Sequence, residues 1–226
     1  MPGTIYGGAL VGYPLWQEVR LVIEEWDDVR GKWLLYRSAA DHHADCERHP
    51  FEKIPTRIFL DTNVVNLIVK HAPALFDMEP LDASLPIGRR RDVEALTHVF
   101  AVGARACWTL RVAKTTLDEI NRTLHEQVRQ DLASYALEML ERGTDESAHG
   151  DDLGRRLADS TLLGYLPDRA DRELLGNAIG LGCDAFVTAD IRTIVSRRNA
   201  LPALPLRILT PTEWWASVRP WGGLWL

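Results

Sequence analysis

Apolar positions recur along the chain in two rhythms. Trp16, Val19, Val22, Ile23, Trp26 and Val29 fall three and four residues apart with charges between them, which predicts an amphipathic helix over 16–36. Pro50 and Pro55 bracket a short connection, and the apolar run Arg57 to Leu60 then ends abruptly at Asp61, the signature of a buried strand. Val64, Leu67 and Ile68 share one side of a helix predicted over 63–76. Pro86 and Gly88 mark 82–91 as a loop, and 92–104 returns to helical spacing. A second strand is expected over 106–112, with Thr115 and Thr116 opening a helix towards Arg142. Residues 143–150 read as a polar flexible stretch, followed by helices over 151–165 and 171–181. A buried strand over 184–188, a short helix over 191–198 and a last strand over 206–209 complete the pattern. Strands alternating with helices predict an α/β fold built on a mainly parallel sheet.

Composition narrows the class. A chain of 226 residues, 46% hydrophobic and 26% charged, has the balance of a globular protein able to bury a sizeable core. The boundary at Pro55 divides it into an N-terminal helical extension, 1–56, and a main domain, 57–226, with a Trp-rich C-terminal tail. Net charge is -6, which argues against a uniformly basic surface that coats nucleic acid and leaves local basic patches as the route to such a partner. Apolar runs fall short of the roughly 20 residues that cross a bilayer, and residues 1–12 lack the basic and apolar regions of a signal peptide. Three cysteines without a C-x-x-C pair suit a reducing compartment, so the cytoplasm is the expected location, with no membrane partner.

The candidate chemistry is acidic. Asp61 follows a strand directly, Glu119 falls in the first turn of the helix after the next strand, Asp171 begins a later helix, and Asp190 lies just past the strand ending at Thr188. In a parallel sheet with crossover helices, strand ends and helix starts gather at one rim, where ligands bind. Each acid alone is also a favoured helix cap, and Thr116 with Glu119 fits a capping box. Together the four repel one another strongly enough to need a cation or protonation; a divalent metal is the natural partner, and oxygen ligands without His or Cys suit Mg²⁺ or Mn²⁺. A metal that activates water for phosphodiester hydrolysis is the implied chemistry.

Five segments carry a resemblance. They are Ile58-Phe59-Leu60-Asp61-Thr62-Asn63; Thr115-Thr116-Leu117-Asp118-Glu119-Ile120; 170–178 beginning Ala170-Asp171; 182–190 ending Val187-Thr188-Ala189-Asp190; and 208–214 ending Thr212-Glu213-Trp214. In that order the chain resembles the PIN-domain ribonucleases over about 57–215. The resemblance implies a three-layer α/β/α sandwich with Asp61, Glu119, Asp171 and Asp190 as the catalytic and metal-binding quartet, and with Asn63 and Thr188 as polar supports. It further implies Mg²⁺ or Mn²⁺ as cofactor and endonucleolytic cleavage of single-stranded RNA, DNA being the alternative strand. Pairing as a homodimer is common in that family. Residues 1–56 lie outside the resemblance, and the segment between Glu119 and Asp171 is longer than in its compact toxin members. Asp168 rivals Asp171 and Asp118 rivals Glu119. The competing function is a non-catalytic module of the same fold that binds protein or RNA through the N-terminal helix or the C-terminal tail. A phosphatase using Asp61 as nucleophile is disfavoured, because the position two residues on is Asn63 rather than a second acid.

Three further features have two readings each. His42, His43, Cys46 and His49 have a spacing that places three on one helix face, as zinc ligands or as a solvated helix end. Arg89, Arg90 and Arg91, with Arg192, Arg197 and Arg198, offer phosphate contacts or plain solvation. Trp214, Trp215, Trp221 and Trp225 offer base-stacking surfaces or core packing, and packing is the commoner use of Trp.

Overall fold

The computed structural model describes residues 24–27, 32–35, 39–77, 79–106, 108–114, 116, 118 and 144–224. Four short strands, β3 (Arg57–Leu60), β4 (Thr109–Arg111), β5 (Ala185–Val187) and β6 (Arg207–Leu209), form one sheet. Their spatial order is β4-β3-β5-β6 and every pairing is parallel, with Phe59 opposite Phe186 and Phe186 opposite Ile208. The chain therefore has an α/β fold, as the alternation of elements predicts.

Successive side chains of a strand face opposite sides, and the sheet separates two apolar clusters accordingly. Ile58, Leu60, Ala185 and Val187 face helices α2 (Thr62–Lys70), α3 (Ala72–Phe76), α4 (Ile87–Ala106) and α7 (Pro211–Val218). Phe59 and Phe186, stacked with ring centroids 5.5 Å apart, face Leu174, Leu175 and Ala178 of α6 (Arg169–Gly180) together with Leu163, Ile194 and Ile208. Both faces are thus covered by helices, which is why Ile58 to Leu60 and Ala185 to Val187 on the two central strands are apolar throughout rather than alternating.

Connections leave the central strands in opposite directions. After β3 the chain runs through α2 to α4 on the first face to reach β4 on one side. After β5 it passes through Ile194, Leu201 and Leu204 on the second face to reach β6 on the other side. The gap beyond the C-terminal ends of β3 and β5 is therefore the topological switch point of the sheet, where open α/β folds bind ligands.

Several expected elements differ. In place of the helix predicted over 16–36, residues Glu24–Asp27 and Lys32–Leu35 pair as antiparallel strands β1 and β2, with Trp26 opposite Trp33. Trp26 and Trp33 fit a cross-strand register as well as a helical stripe, and a four-residue pattern cannot separate the two periods. The extension does contain a helix, α1 (Ala39–Arg48). Arg89, Arg90 and Arg91, expected in a loop, belong to the first turns of α4, which starts directly after Pro86. The stretch 144–150, read as flexible, opens helix α5 (Thr144–Ala158). Its polarity misleads because glycines, not large apolar residues, make the contact: Gly150 and Gly154 face Gly180 and Gly176 of α6 so closely that the two backbones touch. The helix predicted over 63–76 breaks at His71, and the one over 191–198 is a 3₁₀ segment, Val195–Ala200.

The N-terminal extension and the C-terminal tail meet each other. Asp45 of α1 pairs with Arg219, Trp221 Nε1 donates to His49 O at 2.6 Å, and Phe51 packs edge-on against Trp221. Trp214 and Trp215 are almost wholly buried between α7 and α4, so the packing reading holds for them and they offer no surface to a base. Trp225 lies outside the described residues.

Candidate metal and catalytic centre at the sheet switch point

Asp61 stands one residue beyond β3, its N–H donating to Val187 O at 3.0 Å so that it extends the β3–β5 ladder. It is the N-cap residue of α2 by position, and its carbonyl accepts the first helical N–H groups, from Val64 and Val65. Its carboxylate makes no capping bond. Instead Oδ2 accepts from Thr188 Oγ1 at 2.5 Å and from Asn63 Nδ2 at 2.5 Å, and the residue is 3% exposed. A carboxylate that gives up the cap available to it is arranged for something else, which separates Asp61 from Asp168, whose Oδ1 caps α6 by accepting from Ala170 N–H at 2.8 Å.

The supports form a closed set. Thr188, fully buried one residue past β5, accepts from Asp190 N–H at 3.0 Å while donating to Asp61. Asn63 Oδ1 accepts from Ala189 N–H at 2.8 Å, which turns its amide nitrogen towards Asp61 and Thr188. Two strand ends and one helix start are thereby tied across the switch point by three short side chains.

Asp190 and Asp171 are joined by a residue that the sequence reading overlooks. Thr193 Oγ1 lies 2.7 Å from Asp190 Oδ2 and 3.1 Å from Asp171 Oδ2, while Thr193 N–H donates to Asp190 Oδ1 at 2.8 Å. A hydroxyl has one proton, so two carboxylate oxygens converge on a single donor. They are then no more than about 6 Å apart, where two ionised groups repel by about 3 kcal/mol at an effective dielectric near 20. Burial favours the neutral acid at Asp190. The Thr193 hydroxyl and N–H and the nearby Arg192 outweigh it and hold the carboxyl below the ordinary aspartate range, so it is ionised at neutral pH. The local signal for Thr193 is the Asp-x-x-Thr spacing, which closes a side-chain turn. Its reach to Asp171 depends on α6 packing beside it.

Structure thus gathers Asp61, Asn63, Thr188, Asp190 and Asp171 into one linked cluster, and Asp171 rather than Asp168 joins it. Glu119 lies outside the described residues; its rival Asp118 is exposed. Among the described residues no three His, Cys, Asp or Glu side chains are close enough to grip one metal ion directly. The donor set fits a small hard cation that keeps several waters and takes one or two carboxylates, because it is all oxygen and carries excess negative charge.

The other candidate groups are otherwise engaged. His42 Nε2 is 2.8 Å from Pro220 O and 3.5 Å from Cys46 Sγ, and His43 pairs with Glu47, so this cluster contacts its own helix and the C-terminal turn. Arg198 grips Glu213 through two 2.6 Å bonds and also donates to Ile208 O, which removes it from the basic residues available at the rim.

Fold and cluster together define an α/β protein with an oxygen-rich acidic site at its switch point. Comparison with models of known families, with curated proteins and with solved structures finds no match for this chain. No helix among the described residues is long and apolar enough to cross a membrane.

Proposed function

We propose that this protein is a divalent-metal-dependent endoribonuclease of PIN-domain type, hydrolysing phosphodiester bonds of single-stranded RNA. The observation that carries the reading is the Asp61 carboxylate, buried at the switch point, released from capping and held by Thr188 and Asn63 beside Asp190. The sequence resemblance over 57–215 supports it, as does the linking of Asp61, Asp190 and Asp171 through Thr188 and Thr193.

One or two of Asp61, Asp171 and Asp190, with Glu119 as the fourth acid of the resemblance, would hold Mg²⁺ or Mn²⁺ directly and the others through its waters. Such an ion supplies an activated water and stabilises charge on the leaving oxygen. The chain's own part is to fix those oxygens. Thr188 and Asn63 orient Asp61, and Thr193 keeps the Asp171 and Asp190 carboxylates at a constant separation. Attack of water on phosphorus with departure of the 3′ oxygen leaves a 5′-phosphate and a 3′-hydroxyl.

The test is cleavage of matched single-stranded RNA and DNA oligonucleotides with Mg²⁺, Mn²⁺ or EDTA, using wild type, Asp61→Asn and Asp190→Asn. Metal-dependent cleavage of RNA, abolished by either substitution and leaving 5′-phosphate ends, is the expected result. A 2′,3′-cyclic phosphate product, or cleavage indifferent to EDTA and to both substitutions, would refute it. A folded wild type that cuts neither strand would move the assignment to the non-catalytic binding module.

A further inference from the structure

A cleft of about 370 Å³ lies along one side of α2 and reaches Asn63, the side-chain partner of Asp61. Asn63, Asn66, Leu67 and Lys70 are spaced so that they share a helix face, and with His71, Leu85, Pro86 and Arg89 they line this cleft. One end is chemically part of the acidic centre, since Asn63 donates to Asp61. The other end is cationic. Seven residues of helix separate Asn63 from Lys70, about 10 Å at 1.5 Å per residue, a distance that a short piece of extended single strand covers.

Both cations there are exposed, and no ion pair among the described residues engages either of them. Other arginines behave differently: Arg90 donates to Ala83 O, while Arg169, Arg198 and Arg219, elsewhere in the fold, are tied to carboxylates. In a chain of net charge -6, two cations without a close ion-pair partner line one cleft, although Asp92 offsets part of the Arg89 charge. Burial, and after it the charges of Lys70 and Arg89, hold His71 below the usual imidazole range, which shows that the three groups lie close together and leaves His71 a neutral hydrogen-bonding group near pH 7.

We infer that this cleft seats the substrate strand, with Lys70 and Arg89 holding a backbone phosphate of single-stranded RNA a nucleotide or two away from the bond at the acidic centre, and Asn66 contacting the strand between. The inference rests on the nuclease reading for its occupant. A cleft with two cations at one end and, at the other, the amide that holds Asp61 of the acidic centre suits a chain that carries one phosphate per unit. Amide groups between them suit sugar and phosphate oxygens.

The experiment measures binding of a fluorescein-labelled 12-nucleotide RNA by anisotropy, in EDTA and across a range of KCl concentrations. Wild type is compared with Lys70→Gln/Arg89→Gln and with Lys53→Gln/Arg156→Gln, which removes equal charge away from the cleft. The cleft variant should bind about tenfold more weakly at 100 mM KCl, and its logarithmic salt slope should fall by about 0.7, the loss of one phosphate contact. The control should follow wild type. With Mn²⁺, cleavage by the cleft variant should show a raised KM and a kcat within about twofold. Equal binding by wild type and cleft variant overturns the inference, as does failure of wild type to bind the strand, or displacement of the RNA by an equal concentration of oligoglutamate. Failure of the nuclease reading is separately visible: cleft-dependent binding without metal-dependent cleavage retires the nuclease and keeps the cleft, and Asp61-dependent cleavage with cleft-independent binding does the reverse.

Discussion

Gly154 on α5 sets up the sharpest test of how the acidic centre is supported, because α6, packed against it, carries Asp171. A Cβ placed on Gly154 would fall 1.6 Å from Asn177 Oδ1, 2.6 Å from its Cγ and 2.8 Å from the backbone oxygen of Glu173. Asn177 is fully buried and Glu173 O belongs to the helix itself, so neither can yield without α6 moving. Gly154→Ala gains roughly 1 kcal/mol of helix propensity. Against it stand about 1–3 kcal/mol of overpacking and a further 1–3 kcal/mol from disturbing a buried amide. The expected net loss is about 2–3 kcal/mol. Gly88→Ala, near the start of α4 with nothing within 4 Å of the new methyl, keeps only the propensity gain of up to about 1 kcal/mol. Urea unfolding followed by far-UV circular dichroism should therefore move the two midpoints in opposite directions, with Gly154→Ala lower by about 1 M for a slope near 2–3 kcal/mol per M. Displacement of α6 should also draw Asp171 away from Thr193 and reduce metal-dependent activity at temperatures where the variant is folded. Two Gly→Ala variants that both stabilise would refute the close-packing argument and leave helix propensity as the controlling factor.

Other expectations follow from single groups. His98 lies 2% exposed, stacked on Trp215 with ring centroids 4.9 Å apart, and burial pushes it down to about 3. The unfolded chain therefore binds the extra proton first as pH falls below about 6.5, and stability declines with a slope approaching 1.4 kcal/mol per pH unit. His98→Phe should flatten the profile between pH 6.5 and 4.5, and an unchanged slope in thermal denaturation would count against the assignment. Glu94 works in the opposite sense: burial, opposed by Arg90 and Arg91, raises it to about 7, so its cost is present above that value and relieved as pH falls. Glu94→Gln should stabilise at pH 8 and make no difference at pH 4.5. Glu213 carries both the Arg198 pair and a capping box with Thr210, so Glu213→Ala should cost about 1–2 kcal/mol. Burial opposes its ionisation but the Arg198 bonds outweigh it and lower its pKa, so that contribution is present at neutral pH and fades as pH falls through the range below about 4.5. Thr193→Val should leave the melting temperature within a few degrees yet lower metal-dependent cleavage at least tenfold, with Thr193→Ser restoring most of it; equal rates for Val and Ser would exclude the hydroxyl from the site.

Strand-like runs such as Arg57 to Leu60 and 185–187 announce themselves because strands covered on both faces are apolar at every position, and their alternation with helical stripes is enough to specify an α/β fold with a parallel sheet. From those runs the places of Asp61, Thr188 and Asp190 just beyond strand ends could also be read, since a polar residue that terminates a buried run is a local feature. What local spacing could not reveal is which period a short stripe obeys: Trp26 and Trp33 meet across a strand pair rather than along a helix. Nor could it show that a glycine-rich polar stretch is a helix, because Gly150 and Gly154 stabilise α5 through a backbone on another element. The use of each acid was likewise undecided at the level of sequence. Asp168 and Asp171 both read as helix-start residues, Asp171 in the better helix context, and the packing of α6 against the segment after β5 leaves the first as a cap and brings the second to Thr193. Periodicity and chain-terminating residues act within a few positions and are written in the sequence; the meeting of Asp171, Thr193 and Asp61 depends on strand order and helix approach, which only the folded chain decides.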